Sequence, residues 1–373
     1  MKKLLVFFIL FSSLKATAFQ EMYTSVRALG MGNAYTAIVD NSDAMFYNPA
    51  GLSRVEGINW RLLDPQIGLN GLEAFEKAQN FSDDGTDLAQ FLNDLYGTKI
   101  WSHAGLNSLI TLPGIGLGVF GAADVDLNLS NPAFPNLNLN YVYDYGLTLG
   151  FSVPVVPNFL YFGMVGRRTT RTGARLPLGV STIGELDIEN IESNLKNTGS
   201  AFALDLGVNL TLPGLFSPTL SFVWQDVGVT KFSFDGGQQA PPSERDEMII
   251  GFGMSIDLPL LTITPAIDYK YANIEGEQFA KKLHLGIEFD LPLIDLRAGL
   301  NQGYWTLGAS FNLFLMQIDA ASYGVELGEY PGQLEDRRYI VQITFEFGFN
   351  PDFSISSVGG KGGKGRRRIK QRR

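Results

Sequence analysis

Apolar and polar residues alternate along most of this chain. In RRYIVQITFEFGF one set is Tyr339, Val341, Ile343, Phe345, Phe347 and Phe349, and the other is Arg338, Ile340, Gln342, Thr344, Glu346 and Gly348. Only an extended strand sends such sets to opposite sides. KKLHLGIEFD repeats the pattern, with Leu283, Leu285, Ile287 and Phe289 against Lys282, His284, Gly286, Glu288 and Asp290. AFALDLGVNL and EMIIGFGMSID follow suit. Fourteen such segments occur, at about 58–70, 100–110, 114–127, 140–152, 158–170, 199–211, 217–227, 246–257, 260–271, 281–290, 293–300, 304–312, 315–325 and 338–349. Most are long enough for a tilted membrane-spanning strand, which needs roughly 9–11 residues, and an even number lets a closed sheet start and finish on one side.

The connections alternate as well. Every second one is short (near 113, 156 and 214, then 258–259, 291–292 and 314–315), and five of these six contain proline, which lacks an N–H for a ladder. The others are long, at about 71–99, 128–139, 171–198, 228–245, 272–280 and 326–337, with 301–303 the exception. Short periplasmic turns alternating with long external loops are the habit of outer-membrane barrels. A soluble β-sandwich also alternates, but it buries its apolar face, whereas here that face is continuously Leu-, Phe-, Tyr- and Val-rich and the other is polar and Gly-rich. The expected fold is therefore all-β: a transmembrane antiparallel β-barrel of about 14 strands over 58–349. Two long connections carry helical spacing, Leu72, Phe75, Leu88, Phe91, Leu92 and Leu95 in one and Ile188, Ile191 and Leu195 in the other, which predicts external helices.

Composition adds compartment. MKKLLVFFILFSSLKATAFQ has two lysines, an apolar run too short to span a bilayer and Ala16-Thr17-Ala18 as a cleavage site, so 1–18 reads as a secretory signal peptide. The chain has no cysteine, hence neither disulfides nor a lipidation thiol. Its 42 Gly, 27 Phe and 14 Tyr with 18% charged residues suit the outer membrane of a Gram-negative type bacterium, among outer-membrane lipids, with Phe349 ending the last strand as a signal for the barrel assembly machinery. The formal charge is −9; three lysines lie in the leader and eight basic residues in the last thirteen, so the body between carries −20. That acidity argues against nucleic acid as a partner. The tail, 350–373, is basic and Gly-rich, and suits either anionic head groups or a solvated end.

Residues 19–57 fit none of this. RALGMGNAYTAIVDNSDAMFYNPAGL is too polar and Gly-rich for lipid, while its small residues allow close packing inside a crowded bore, and Asn48 before Pro49 favours an Asx-type turn. A plug in the lumen is the expectation. LGMGNAYTA…DNSDAMFYNPAGL resembles the N-terminal hatch of the FadL-type outer-membrane transporters of long-chain fatty acids and other hydrophobic compounds. The resemblance implies that Gly30, Gly32, Ala34, Asp40, Asp43, Asn48, Pro49 and Ala50 form the hatch and gate a substrate, and it agrees with fourteen strands. RALGMGNA also resembles the PorV-type relatives, barrels that serve protein secretion.

Catalytic patterns are absent. His103 and His284 accompany no Gly-x-Ser-x-Gly, so no nucleophile with a histidine base is indicated. GLGVFG at 116–121 matches a dinucleotide fingerprint, but strand alternation follows it instead of a helix. No metal pattern appears, and neither a catalytic role nor a cofactor is expected. Asp144, Asp205, Asp268, Lys270, His284, Glu288, Arg297 and Glu346 fall on the polar faces and form either a polar path or an ion-paired filling around the hatch. Two functions stay open: uptake of a hydrophobic small molecule or lipid through an apolar pocket beside Asn48–Ala50, and a secretion or assembly role with protein cargo.

Overall fold

The computed structural model describes residues 23–70, 99–130, 136–179, 193–313 and 316–349. The leader, the tail and the segment 71–98 lie outside them, as does all of 180–192 with most of its predicted helix; residues 193–195, at the end of that pattern, are helical. The strands are β1 (Ile58–Leu63 and Gln66–Leu69), β2 (Lys99–Leu112), β3 (Ile115–Ser130), β4 (Asn136–Val156), β5 (Leu160–Gly179), β6 (Thr198–Thr211), β7 (Thr219–Gln225), β8 (Glu247–Gly253 and Ile256–Leu258), β9 (Leu261–Tyr269), β10 (Leu283–Asp290), β11 (Ile294–Asn301), β12 (Tyr304–Asn312), β13 (Met316–Glu326) and β14 (Glu335–Phe349). Each pairs antiparallel with the next, and β1 pairs with β14 through Ile58↔Phe349 and Tyr339↔Leu69, closing the ring. All fourteen predicted segments are present.

The period-two pattern becomes two surfaces. On β4 Tyr143, Tyr145, Leu147, Leu149, Phe151 and Val153 stand exposed outside, while Asp144, Thr148 and Ser152 are buried inside. In water such an outer face would be unstable; in a bilayer it is the belt, and closure leaves no unpaired strand edge facing lipid. Aromatic rings border it: Tyr143 and Tyr145 (centroids 5.7 Å apart) on the long-loop side, Trp60 and Phe347 (6.1 Å) toward the short turns. The protein is thus an outer-membrane, multi-pass β-barrel, and the rim of short turns corresponds to the side that in such barrels faces the periplasm.

Three expectations need correction. First, β1 is interrupted at Asp64–Pro65, because Pro65 has no N–H; the fully buried Asp64 carboxylate takes over, accepting from the Asn107 N–H at 2.7 Å. Second, the external connection expected over 128–139 is five residues, because Asn-rich alternation in DVDLNLS and NLNLN continues the β3–β4 ladder out to Ser130↔Asn136. Third, β5 runs on to Gly179, so the connection expected from 171 starts later. The wall is consequently uneven. β4 has 21 residues and β7 has 7; at about 3.3 Å per residue the former is some 70 Å long, well beyond a bilayer.

Candidate functional site

Residues 23–57 lie inside the ring, and their local fold follows from their sequence. Helix α1 (Val26–Gly30) ends where Gly32 and Asn33 take φ of 65° and 63°, the left-handed region that Gly and Asn tolerate best. Helix α2 (Ala44–Tyr47) is followed by a 3-10 helix, Pro49–Arg54. Asn48 caps the latter, its side chain accepting from the Ala50 N–H at 3.0 Å, and Pro49 opens it. This is the Asx turn that Asn-Pro predicts. The inserted segment has its own apolar core of Met31, Ala34, Tyr35, Val39, Met45, Phe46, Tyr47 and Leu52, to which the wall contributes Leu109, Phe120, Val165 and Ala266.

Its first half is held to β9–β12 by charge and hydrogen bonds. Arg27 donates from Nε (2.8 Å) and Nη2 (2.9 Å) to the two oxygens of Glu288, and Arg297 donates to the same carboxylate at 2.7 Å and to Asp319 at 3.1 Å. Such bidentate, charge-assisted pairs are about twice as strong as neutral ones. Asp268 accepts from the Tyr35 and Thr36 N–H groups at 2.8 and 2.9 Å and from Thr36 Oγ1 at 2.9 Å. His284 Nδ1 donates to the Gly32 carbonyl (2.9 Å), Thr306 Oγ1 donates to that of Gly30 (3.1 Å), and Lys270 Nζ lies 5.6 Å from the Tyr47 ring centroid. Across the bore, Asp43 receives Ser25 Oγ at 2.7 Å and Arg61 Nη1 at 2.6 Å, and Arg61 also reaches Glu346 at 3.4 Å.

The second half sits on glycines. Any Cβ on the wall at Gly163 or Gly207 would collide with Pro49 and its neighbours, and one at Gly116 or Gly150 with Met45 and Leu52. The same holds opposite, where Gly30 meets Gly308 and Gly32 approaches the Leu285 and Leu300 carbonyls. Glycine on the inward face therefore marks the footprint of the segment. Asn48 Nδ2 bridges the two halves, donating to the Thr36 carbonyl (2.8 Å) and to Asn209 Oδ1 (2.7 Å), and Ser152 Oγ donates to the Ala50 carbonyl at 3.2 Å.

All eight predicted lumen residues point inward, but they serve two places. Asp268, Lys270, His284, Glu288, Arg297 and Glu346 surround the inserted segment. Asp144 and Asp205 instead pair within the wall, with Arg171 (2.8 and 2.6 Å) and with Arg167 (2.5 and 3.2 Å). There Arg171 also meets Glu244 and lies 4.6 Å from the Phe232 ring, so the loop after β7 folds over the bore. Among the hatch positions Ala34, Asn48, Pro49 and Ala50 are buried, and Asp40 is the least enclosed, reaching Arg27 at 3.5 Å. Sequence reasoning missed Arg27, Arg61 and Asp319. A lone arginine amid the small residues of VRALG was the available signal for Arg27. The second histidine is also held by neighbours: His103 contacts Asp124 at 3.0 Å and Gln66 at 3.3 Å.

Electrostatics fit this enclosure. Burial works against the charge of Arg27, yet Glu288 beside it holds the guanidinium well above its ordinary range. Burial raises the Tyr23 and Tyr35 hydroxyls. For Asp43 burial pushes upward, but Arg61 and the Ser25 hydroxyl outweigh it, and the carboxyl falls below its usual value. The apolar pocket expected beside Asn48–Ala50 is not what the described residues form: Asn48, Pro49 and Ala50 meet the wall directly. A cavity of about 50 Å³ lies instead between Tyr23, Phe46 and Tyr47 on one side and Arg167, Asp226, Glu244, Glu247 and Lys270 on the other. Its charged lining comes from the wall at Arg167 and Glu247, from Lys270 just after β9 and from Asp226 and Glu244 of the loop after β7.

No family model matches the sequence, and no curated protein does. The three-dimensional arrangement is similar to CymD, a monoaromatic hydrocarbon channel, at TM-score 0.52 and 13% identity over 90% of this chain and 100% of that one. It is also similar to the deltaS2S3 mutant of TodX, a monoaromatic hydrocarbon channel, at TM-score 0.50 and 13% identity over 88% and 99%. The fold that the FadL-type resemblance implied is thus the fold found.

Proposed function

We propose that this barrel passes hydrophobic small molecules across the outer membrane, with residues 19–57 as a hatch that gates the bore. The observation that carries the reading is the seam. The hatch keeps a core of its own and meets the wall through glycines, hydrogen bonds and ion pairs, so it can shift without unpairing a strand. The hydrocarbon channels of like fold support small apolar compounds as the substrate class, and the hatch resemblance adds long-chain fatty acids to the candidates. Gly30, Gly32, Ala34, Asp40, Asp43, Asn48, Pro49 and Ala50 are the gating residues of this reading, and Asp268, Glu288 and Arg297 the ones they are seated on.

A second reading has its own observation. The cavity is small and charged, and Phe234, Phe279 and Tyr330 are exposed on the external loops, which suits a component that binds secreted protein cargo. The test is a null strain beside one with the gene restored, assayed for uptake of labelled toluene and labelled oleate and for exported proteins. Passage predicts slower uptake of at least one probe in the null strain. Normal uptake of both, with exported proteins accumulating in the periplasm, would replace the first reading with the second.

A further inference from the structure

The periplasmic rim departs from what an aqueous turn requires. Residues 113–114, 157–159, 212–218, 259–260 and 291–293, which join the strands on that side, contain no Lys, Arg, Asp or Glu. Their tips are large and uncovered. Leu215 is 67% exposed, Leu260 68% and Leu293 61%, at least as open as Leu147 in the middle of the belt at 57%. The external connections are charged by contrast, with Glu275 and Glu277 after β9 and Glu329 after β13. Exposed leucines on three of these turns, with the exposed Val155 and Val156 beside a fourth, adjoin the lipid-facing belt.

The backbone of these turns is also closed in part upon itself. Pro113, Pro157, Pro213, Pro218, Pro259 and Pro292 have no N–H to satisfy. Leu212 N–H donates to the Pro218 carbonyl (2.9 Å), Phe159 to Val156 (3.0 Å), Leu291 to Ile294 (3.1 Å), Leu313 to Met316 (2.8 Å) and Ser255 to Phe216 (3.0 Å). Gly114 N–H donates inward, to Leu52 of the hatch, at 2.9 Å. Turns in water make such bonds too, but in hydrocarbon each matters more, because a group left open costs several kcal/mol, roughly.

We propose that the periplasmic rim is a lipid-binding surface, its turns seated among the acyl chains of the inner leaflet. The occupant is lipid because the exposed leucines adjoin the apolar belt and the turns themselves carry no charge, the exposed Asp257 beside the 259–260 turn being taken up by the Ser255 and Thr262 hydroxyls. The barrel then ends inside the membrane on this side and projects on the other, where β3–β5 extend. On the proposed passage function, an apolar compound leaving the bore at the rim enters lipid directly. The rim assignment itself does not depend on that function.

The absence of native cysteine makes the test direct. Leu215→Cys, Leu260→Cys and Leu293→Cys, each in the full chain, carry a nitroxide in phosphatidylcholine vesicles, with Leu147→Cys and Glu275→Cys as lipid and water references. Heat-modifiable gel migration verifies each folded barrel, and the three sites lie on different turns. Collision with a water-soluble nickel chelate is expected to be roughly tenfold or more lower at all three rim sites than at Glu275→Cys, with oxygen collision as at Leu147→Cys, since a charged chelate is excluded from hydrocarbon. Nickel access equal to that at Glu275→Cys would overturn the proposal and leave the rim as a docking face for a periplasmic protein. Neither result depends on uptake, so rim and passage fail separately.

Discussion

The hatch is held by two unlike surfaces, and the difference separates anchoring from fit. Against β9–β12 its first half makes directional bonds, with Arg27 on Glu288 and the Tyr35 and Thr36 amides on Asp268. Against β3–β6 its second half makes mainly contact, with Met45, Leu52 and Pro49 filling the space that Gly116, Gly150, Gly163 and Gly207 leave open, and its bonds there, to Ser152 and Asn209, are neutral. A bond that is removed leaves a buried charge, while a contact that is removed leaves a small void. The first surface therefore resists release, and the second sets how closely the hatch can approach.

The largest effect is expected from Glu288→Ala, which deprives both Arg27 and Arg297 of a buried carboxylate. Breaking such a pair costs about 3–5 kcal/mol. Residues 25–36 should become cleavable by added protease and exchange amide hydrogens far faster, while the barrel keeps its heat-modifiable migration; unchanged protection would mean that the latch bears little of the docking. Gly163→Val attacks the other surface, where overpacking typically costs about 1–3 kcal/mol. Exchange should then rise around 45–52 and not around 25–36, and a uniform rise would erase the distinction between the two halves. Asn48→Ala removes donors that bridge them, and a lost buried partner costs about 1–3 kcal/mol. Its signature is a modest rise in both regions together.

Acid gives the smallest effect. Arg61 and the Ser25 hydroxyl outweigh burial and hold the Asp43 carboxyl below its usual value in the fold, so the stability it supplies is fully present above the ordinary carboxylate range and is lost as pH falls through the lower folded value. Protection of the hatch should hold from about pH 8 to pH 5 and decline below about pH 4. Loss already at neutral pH would point to a different titrating group.

Period two is written locally, which is why the strand segments, the inward placement of Asp268, His284 and Glu288 and the turn at Asn48 could be read from the chain. The latch could not, because Arg27 and Glu288 lie 261 residues apart and only the closed ring brings them together. The same holds for the β1 interruption. Pro65 was visible, but its repair by Asp64 depends on Asn107 of the neighbouring strand. Glycines on polar faces were seen as composition, and they acquire meaning only as the footprint of what lies inside. The tall wall was underestimated because Asn-rich alternation after Val125 resembles loop.

The central claim is that residues 23–57 close the bore. Single-channel conductance in planar bilayers, comparing the full chain with a variant lacking 30–50, tests it most directly. The account predicts a small or silent conductance for the full chain and large, steady openings for the deletion, whose strands pair without the hatch. Equal conductances from two folded barrels would contradict it.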